Sequence, residues 1–175
     1  DVVNAPWYWN DLQFILEDSR HILSGYPDGT FRPDTVLTVE QFVKALVVAC
    51  WYTTIEPDKT DWSLPFRNKA VEIGILKSGD FTNYKRAITR EEMAMLVIRA
   101  NKYLNPEDKY ADQTKVATLV NDTNAITASR KEAVLQAYGL GILLGYPDGN
   151  YKPKNTLKRS EAVAVIRRVV DAAAR

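Results

Sequence analysis

The chain has 175 residues, 46% of them hydrophobic, with 23 Lys and Arg against 22 Asp and Glu, enough for a domain with a real core. A net charge of +1 argues against the concentrated basic face of a nucleic-acid binder. The apolar runs fall far short of the roughly 20 residues that span a bilayer. One histidine, His21, and one cysteine, Cys50, exclude a Cys/His zinc cluster and an internal disulfide.

Three helix–loop–helix units are predicted in chain order. The first has a helix over about Trp9–Arg20, then a loop Gly25-Tyr26-Pro27-Asp28-Gly29-Thr30-Phe31-Arg32-Pro33. Thr38 and Gln41 form a capping box, and behind it Phe42, Val43, Leu46, Val47 and Cys50 recur with helical period. The stripe is core, and Cys50 on it is expected to be a buried, inert thiol. His21 lies among Ile22, Leu23 and Arg20, and no nucleophile-elbow pattern accompanies it, so no hydrolase triad is expected.

The second unit repeats this in shortened form. Its first helix runs over about Pro65–Ile73, with Pro65 suited to a first turn. The loop is reduced to Ser78-Gly79-Asp80-Phe81, and Thr89 with Glu92 caps a helix whose stripe is Met93, Ala94, Val97 and Ala100. A polar join follows, in which Thr114–Val120 is a candidate short helix. The third unit has a helix over about Ser129–Leu140. Its loop, Gly145-Tyr146-Pro147-Asp148-Gly149-Asn150-Tyr151-Lys152-Pro153, matches the first closely. Lys158 replaces the capping hydroxyl while Glu161 keeps its place, so this helix start should be held less well by about 1 kcal/mol. In both full loops the Pro-Asp-Gly turn leads into short extended pieces expected to pair, Thr30–Arg32 and Asn150–Lys152.

The loop, the following hydrophobe-Thr-Arg-acid-Glu helix start and the threefold recurrence resemble the S-layer homology (SLH) module. Tyr110-Ala111-Asp112 is similar to the aromatic-x-Asp opening of such a repeat, and Asp61-Trp62 partly echoes it. The resemblance implies a mainly all-α fold: a pseudo-three-fold bundle of repeats at about 1–56, 57–106 and 107–175, forming a trigonal prism with inter-repeat grooves. It also implies a secreted, non-catalytic module without cofactor or metal, monomeric as a fragment, with no nucleic acid and no membrane insertion. Such a module anchors a surface or S-layer protein to a Gram-positive cell wall by binding secondary cell wall polysaccharide, often through a pyruvylated amino sugar. Two other readings stay open: a protein–protein lattice module without glycan binding, and a glycosidase. The second needs a pair of placed carboxylates that no pattern here supplies.

A ketal-linked pyruvate carries a carboxylate, which guanidinium groups bind in bidentate fashion. The family's motif arginine falls on Arg90 and Arg159, and on Val39 in the first repeat. Free N–H groups and the positive end of each adjacent helix are expected to add to the attraction. Gly29 and Gly149 allow close approach to the backbone, and Asp28 and Asp148 are candidates to accept sugar hydroxyls. Tyr26, Tyr146, Trp62 and Trp7 offer faces to a pyranose ring. The competing roles are ion pairing for the arginines, turn formation for the aspartates and core anchoring for Trp62. Gln41, Glu92 and Glu161 read as caps.

Overall fold

A computed structural model describes residues 1–2, 4, 6–51 and 54–175. Among them the regular secondary structure is almost wholly helical: α1 (Trp9–Glu17), α2 (Val39–Cys50), α3 (Leu64–Glu72), α4 (Arg90–Leu104), α5 (Gln113–Ala117), α6 (Ala128–Gly139) and α7 (Arg159–Val170). α1 stops short of the expected Arg20. The Asp18 carboxylate takes the Arg20 backbone N–H at 2.9 Å and its Nε at 2.8 Å, and this local turn holds Asp18 in an extended conformation. The short helix expected over Thr114–Val120 forms slightly earlier, because Asp112 accepts from Thr114 N–H at 2.9 Å and caps it. Asp112, the aspartate of the expected repeat opening, thus caps α5.

The second helices of the units, α2, α4 and α7, pack on one another at the centre. Apolar side chains of all three meet there: Phe42 and Leu46 of α2, Met93 and Leu96 of α4, and Val163 and Ile166 of α7 are all fully buried, each contributing about 1.5–3 kcal/mol. Cys50 lies in this core, and burial pushes its thiol up to about 12. Each first helix packs outward onto the second helix of the preceding unit: α3 on α2, α6 on α4 and, closing the ring, α1 on α7.

The ring is completed by main-chain bonds. Leu37 N–H donates to Leu157 O at 3.0 Å, Leu157 N–H to Ile88 O at 3.2 Å, and Ile88 N–H back to Leu37 O at 3.0 Å. These three residues occupy the same position in their repeats and are fully buried. Single antiparallel bridges, Val36 with Lys158, Thr38 with Ala87 and Thr89 with Thr156, flank them. Hence the loops pair between repeats, through segments beyond the turns. The extended pairing expected at Thr30–Arg32 and Asn150–Lys152 does not form. Arg32 and Lys152 instead take left-handed φ values of 55° and 57°, which aims successive N–H groups at one point. Asp1 accepts from Phe31 and Arg32 N–H at 2.7 and 2.6 Å, and Asp122 accepts from Tyr151 and Lys152 N–H at 2.7 and 2.8 Å.

Candidate functional site: clefts between repeats

The helix starts are where the repeats lock together. The first two N–H groups of a helix normally lack partners. In this chain they donate to the next repeat's loop: Val39 and Glu40 to Arg86 O and Tyr84 O, Arg90 and Glu91 to Asn155 O and Pro153 O, Arg159 and Ser160 to Thr35 O and Pro33 O, all at 2.9–3.0 Å. The anticipated free N–H groups are therefore already used. A ligand here must be held by side chains.

Arg90 and Arg159 reach across the same junctions. Arg90 is 5% exposed; it donates through Nε to Tyr151 O at 2.9 Å, through Nη2 to Leu144 O at 2.9 Å and through Nη1 to Glu161 Oε1 at 3.0 Å. Its guanidinium carbon lies 4.8 Å from the Tyr146 ring centre and 4.9 Å from that of Tyr151. Tyr151 returns a bond from its hydroxyl to Arg90 O at 2.8 Å. Arg159, 6% exposed, repeats the pattern with Phe31 O and Ser24 O, both at 2.8 Å, between the Tyr26 and Phe31 rings at 5.0 and 4.6 Å. Gln41 stands where Glu161 stands in the other junction, so no carboxylate pairs with Arg159 among the described residues. Burial, aided by the nearby Arg32 charge, pulls its pKa down.

The three junctions differ in what fills them. Between repeats one and two, Glu40 accepts from Ser63 Oγ at 3.2 Å. Between two and three, the buried Glu91 accepts from Thr127 N–H and Oγ1, Arg130 Nη1 and Lys154 Nζ at 2.7–2.9 Å. Burial alone would raise its carboxyl, but Lys154, Thr127 and Arg130 hold it down at about 2. Between repeats three and one the equivalent residue is Ser160, and no such cluster forms. There the surface opens into two adjoining hollows of about 540 and 470 Å³, which share Trp7, Tyr146 and Glu161.

One hollow is lined further by Tyr8, Asp34, Val36, Lys158 and Ser160. The other is lined by Arg90, Leu144, Gly145, Pro147, Val165 and Arg168. Trp7 is 67% exposed, an apolar face standing in solvent between them. Tyr146 donates its hydroxyl to Glu161 Oε1 at 3.2 Å, and burial raises its pKa, with Arg90 opposing. Lys158 and Asp34 pair across the rim at 2.7 Å. Both are exposed, so solvent screens the pair and it adds little to stability.

Thus Arg90 and Tyr146 belong to this cleft, and Trp7 joins them. The remaining candidates lie elsewhere. Asp28 accepts from Thr30 N–H and Oγ1 and pairs with Arg32 at 2.6 Å; these contacts hold its carboxyl far below the usual range. Asp148 accepts from Asn150 N–H and pairs with Lys152, and sits at about 2. Gly29 and Gly149 take φ of 80° and 77°. The edge of Gly29 is open, whereas Asn121 Nδ2 covers that of Gly149. Arg32 stacks 4.0 Å over Tyr26. Trp62 leans on Phe66 at 6.3 Å and is 40% exposed. Asp61, beside it, accepts from Ser63 and pairs with Arg67. Composition and motif alone did not single out Asp34, Lys158 or Arg168 as cleft residues, because the cleft forms between repeats far apart in the chain.

The structure is an all-α array of three related units with two adjoining hollows where the last unit meets the first. The S-layer homology domain family model matches residues 1–43 and 121–163, and the chain belongs to that family. The middle repeat, with its trimmed loop, falls outside those matched segments. An endoglucanase of Bacillus sp. (strain KSM-635) is 27% identical over 95% of this chain and 18% of its own length. Exoglucanase XynX of Acetivibrio thermocellus is 31% identical over 85% of this chain and 14% of its length. A cellulosome-anchoring protein of Acetivibrio thermocellus is 29% identical over 85% and 35%. The chain spans no more than about a third of the length of these relatives. Among the described residues no helix is long and apolar enough to cross a membrane.

Proposed function

We propose that this chain is a non-covalent anchor: it holds a secreted surface protein on a bacterial wall by taking secondary cell wall polysaccharide into the cleft between repeats three and one. The observation that carries this reading is the exposed indole of Trp7 beside Tyr146, above a hollow ringed by Arg90, Glu161, Lys158 and Arg168. A flat apolar face next to fixed polar groups of both signs suits a sugar ring, whose faces are C–H rich and whose edge carries hydroxyls. The family membership and the relative described as cellulosome-anchoring support the same direction.

The glycan proposed is acidic, of the pyruvylated amino-sugar kind, because three cations line the cleft against two carboxylates. Arg159, with the Tyr26 ring 5.0 Å from its guanidinium carbon and with Asp28 and the open edge of Gly29 in the same loop, is proposed as a second and separate contact point, and the exposed face of Trp62 as a further sugar platform on repeat two. The groups present provide binding, and no catalytic step is proposed for the chain.

Cosedimentation with purified wall sacculi, before and after chemical removal of their polysaccharide, tests the reading. Binding is expected to the intact sacculi only. Trp7→Ala should weaken it about tenfold, a sugar-stacking contribution of about 1.4 kcal/mol, without altering the fold, since the ring is mostly in solvent. Equal sedimentation with stripped sacculi, or an unaffected Trp7→Ala, would overturn it.

A further inference from the structure

Repeat two contains a carboxylate site that is already filled. Arg99, in α4, donates through Nη1 to Ile75 O at 3.2 Å, and its two terminal nitrogens grip the two oxygens of Asp80, Nη2 to Oδ1 at 3.2 Å. Asp80 comes from the same repeat's loop and precedes Phe81. The fork geometry is the one in which guanidinium recognises carboxylate best.

The same position in α7 is Arg168. It keeps the main-chain anchor, with Nη1 to Ile142 O at 3.4 Å; Ile142 and Ile75 are the same residue of the shared Gly-Ile-Leu stretch. The acid is gone, because the loop residue preceding Tyr151 is Asn150. No carboxylate pairs with Arg168 among the described residues, and its side chain lines the cleft with Trp7 and Tyr146. In repeat one the position is Val48. Arg90, on the same wall, is buried and neutralised by Glu161, with two further N–H groups held by main-chain carbonyls.

We infer that Arg168, rather than the helix-start Arg90, selects the acidic group of the glycan: it takes a sugar carboxylate in the manner in which Arg99 takes that of Asp80. The inference rests on the cleft being the glycan site. It assigns Arg90 a positioning role, holding the loop that forms one wall, and it leaves Trp7 indifferent to ligand charge.

Titration calorimetry with soluble wall polysaccharide in three forms tests this: native, carboxyl-reduced, and treated with mild acid to remove ketal pyruvate while sparing uronic acids. The wild-type chain should bind the native form at least about tenfold more tightly than the reduced one, the range of a charge-assisted hydrogen-bonded pair. Arg168→Gln should lose that preference and bind both forms equally, while Trp7→Ala should weaken both and keep the preference. A fall to the affinity of the reduced form on mild acid treatment identifies ketal pyruvate as the source of the carboxylate; unchanged affinity identifies a uronic acid. If Arg168→Gln discriminates as the wild type does, the inference fails while the glycan reading stands. If the wild type binds none of the three forms, both fail. Circular dichroism of Arg168→Gln should match the wild type, because the side chain makes one long bond to the protein.

Discussion

The junction between repeats two and three and the junction between repeats three and one are built from the same backbone plan, yet at the helix starts the first is closed over by a charged cluster and the second is left open; farther along α4 and α6 the first junction has a hollow of its own, of about 510 Å³. In the first, Glu91 draws Arg130, Lys154 and Thr127 into a buried cluster. In the second, Ser160 occupies that position and the space stays as a hollow beside Trp7. A scaffold held by main-chain rings and helix-start carbonyls therefore carries a buried charged cluster at one junction and an open hollow at another. The two arginines extend the contrast: Arg90 locks the closed junction with a carboxylate in reach, and Arg159 locks the open one without.

The largest expected effect lies in that difference. Arg90→Met removes one partner of a buried ion pair and leaves the Glu161 carboxylate half-buried; it should cost about 3–5 kcal/mol. Arg159→Met strands only the carbonyls of Phe31 and Ser24 and should cost about 1–2 kcal/mol. Urea midpoints for the two variants measure it. A loss in Arg159→Met as large as in Arg90→Met would mean that the charge balance of the two junctions is the same.

Acid should open the closed junction selectively. The folded-state pKa of Glu91 is depressed to about 2, so its stabilising contribution is complete above the ordinary glutamate value of about 4.3 and is lost as pH falls towards 2. Integrated over that shift it amounts to about 3 kcal/mol. Hydrogen exchange at the start of α6 should rise between pH 4 and 2, faster than at the start of α1. In Glu91→Gln that pH dependence should vanish. A wild-type profile flat over this range would show that Lys154 and Arg130 do not hold the carboxylate.

Much of this was legible beforehand because local chemistry repeats in the chain. The apolar stripes of α2, α4 and α7, the Pro-Asp-Gly turns and the roles of Gln41, Glu92 and Glu161 at helix starts follow from spacing alone, and the helix-start glutamates do accept the cap N–H as expected. What could not be read was which repeat each start would meet. Arg90 pairs with Glu161 across 71 residues and Arg159 reaches Phe31 across 128, distances over which no periodicity carries information. The same holds for Asp1 and Asp122, whose carboxylates sit on loop N–H groups that left-handed residues bring together. Trp7 was visible as a candidate face, but its place beside Tyr146 depends on α1 closing the ring against α7.

The smallest effect sharpens the comparison most. Gln41 and Glu161 make the same helix-start bond, to Thr38 N–H and Lys158 N–H, both at 3.0 Å, so Gln41→Glu keeps the cap. It adds a carboxylate where Arg159 lacks one, and should stabilise the fold by about 1 kcal/mol as the new pair replaces a bare buried cation. It should also weaken any acidic ligand at Arg159, since the added charge competes for the same guanidinium. If thermal denaturation shows Gln41→Glu to be neutral or destabilising, the carbonyls and aromatic rings around Arg159 already satisfy it, and the open junction differs from the closed one in shape alone.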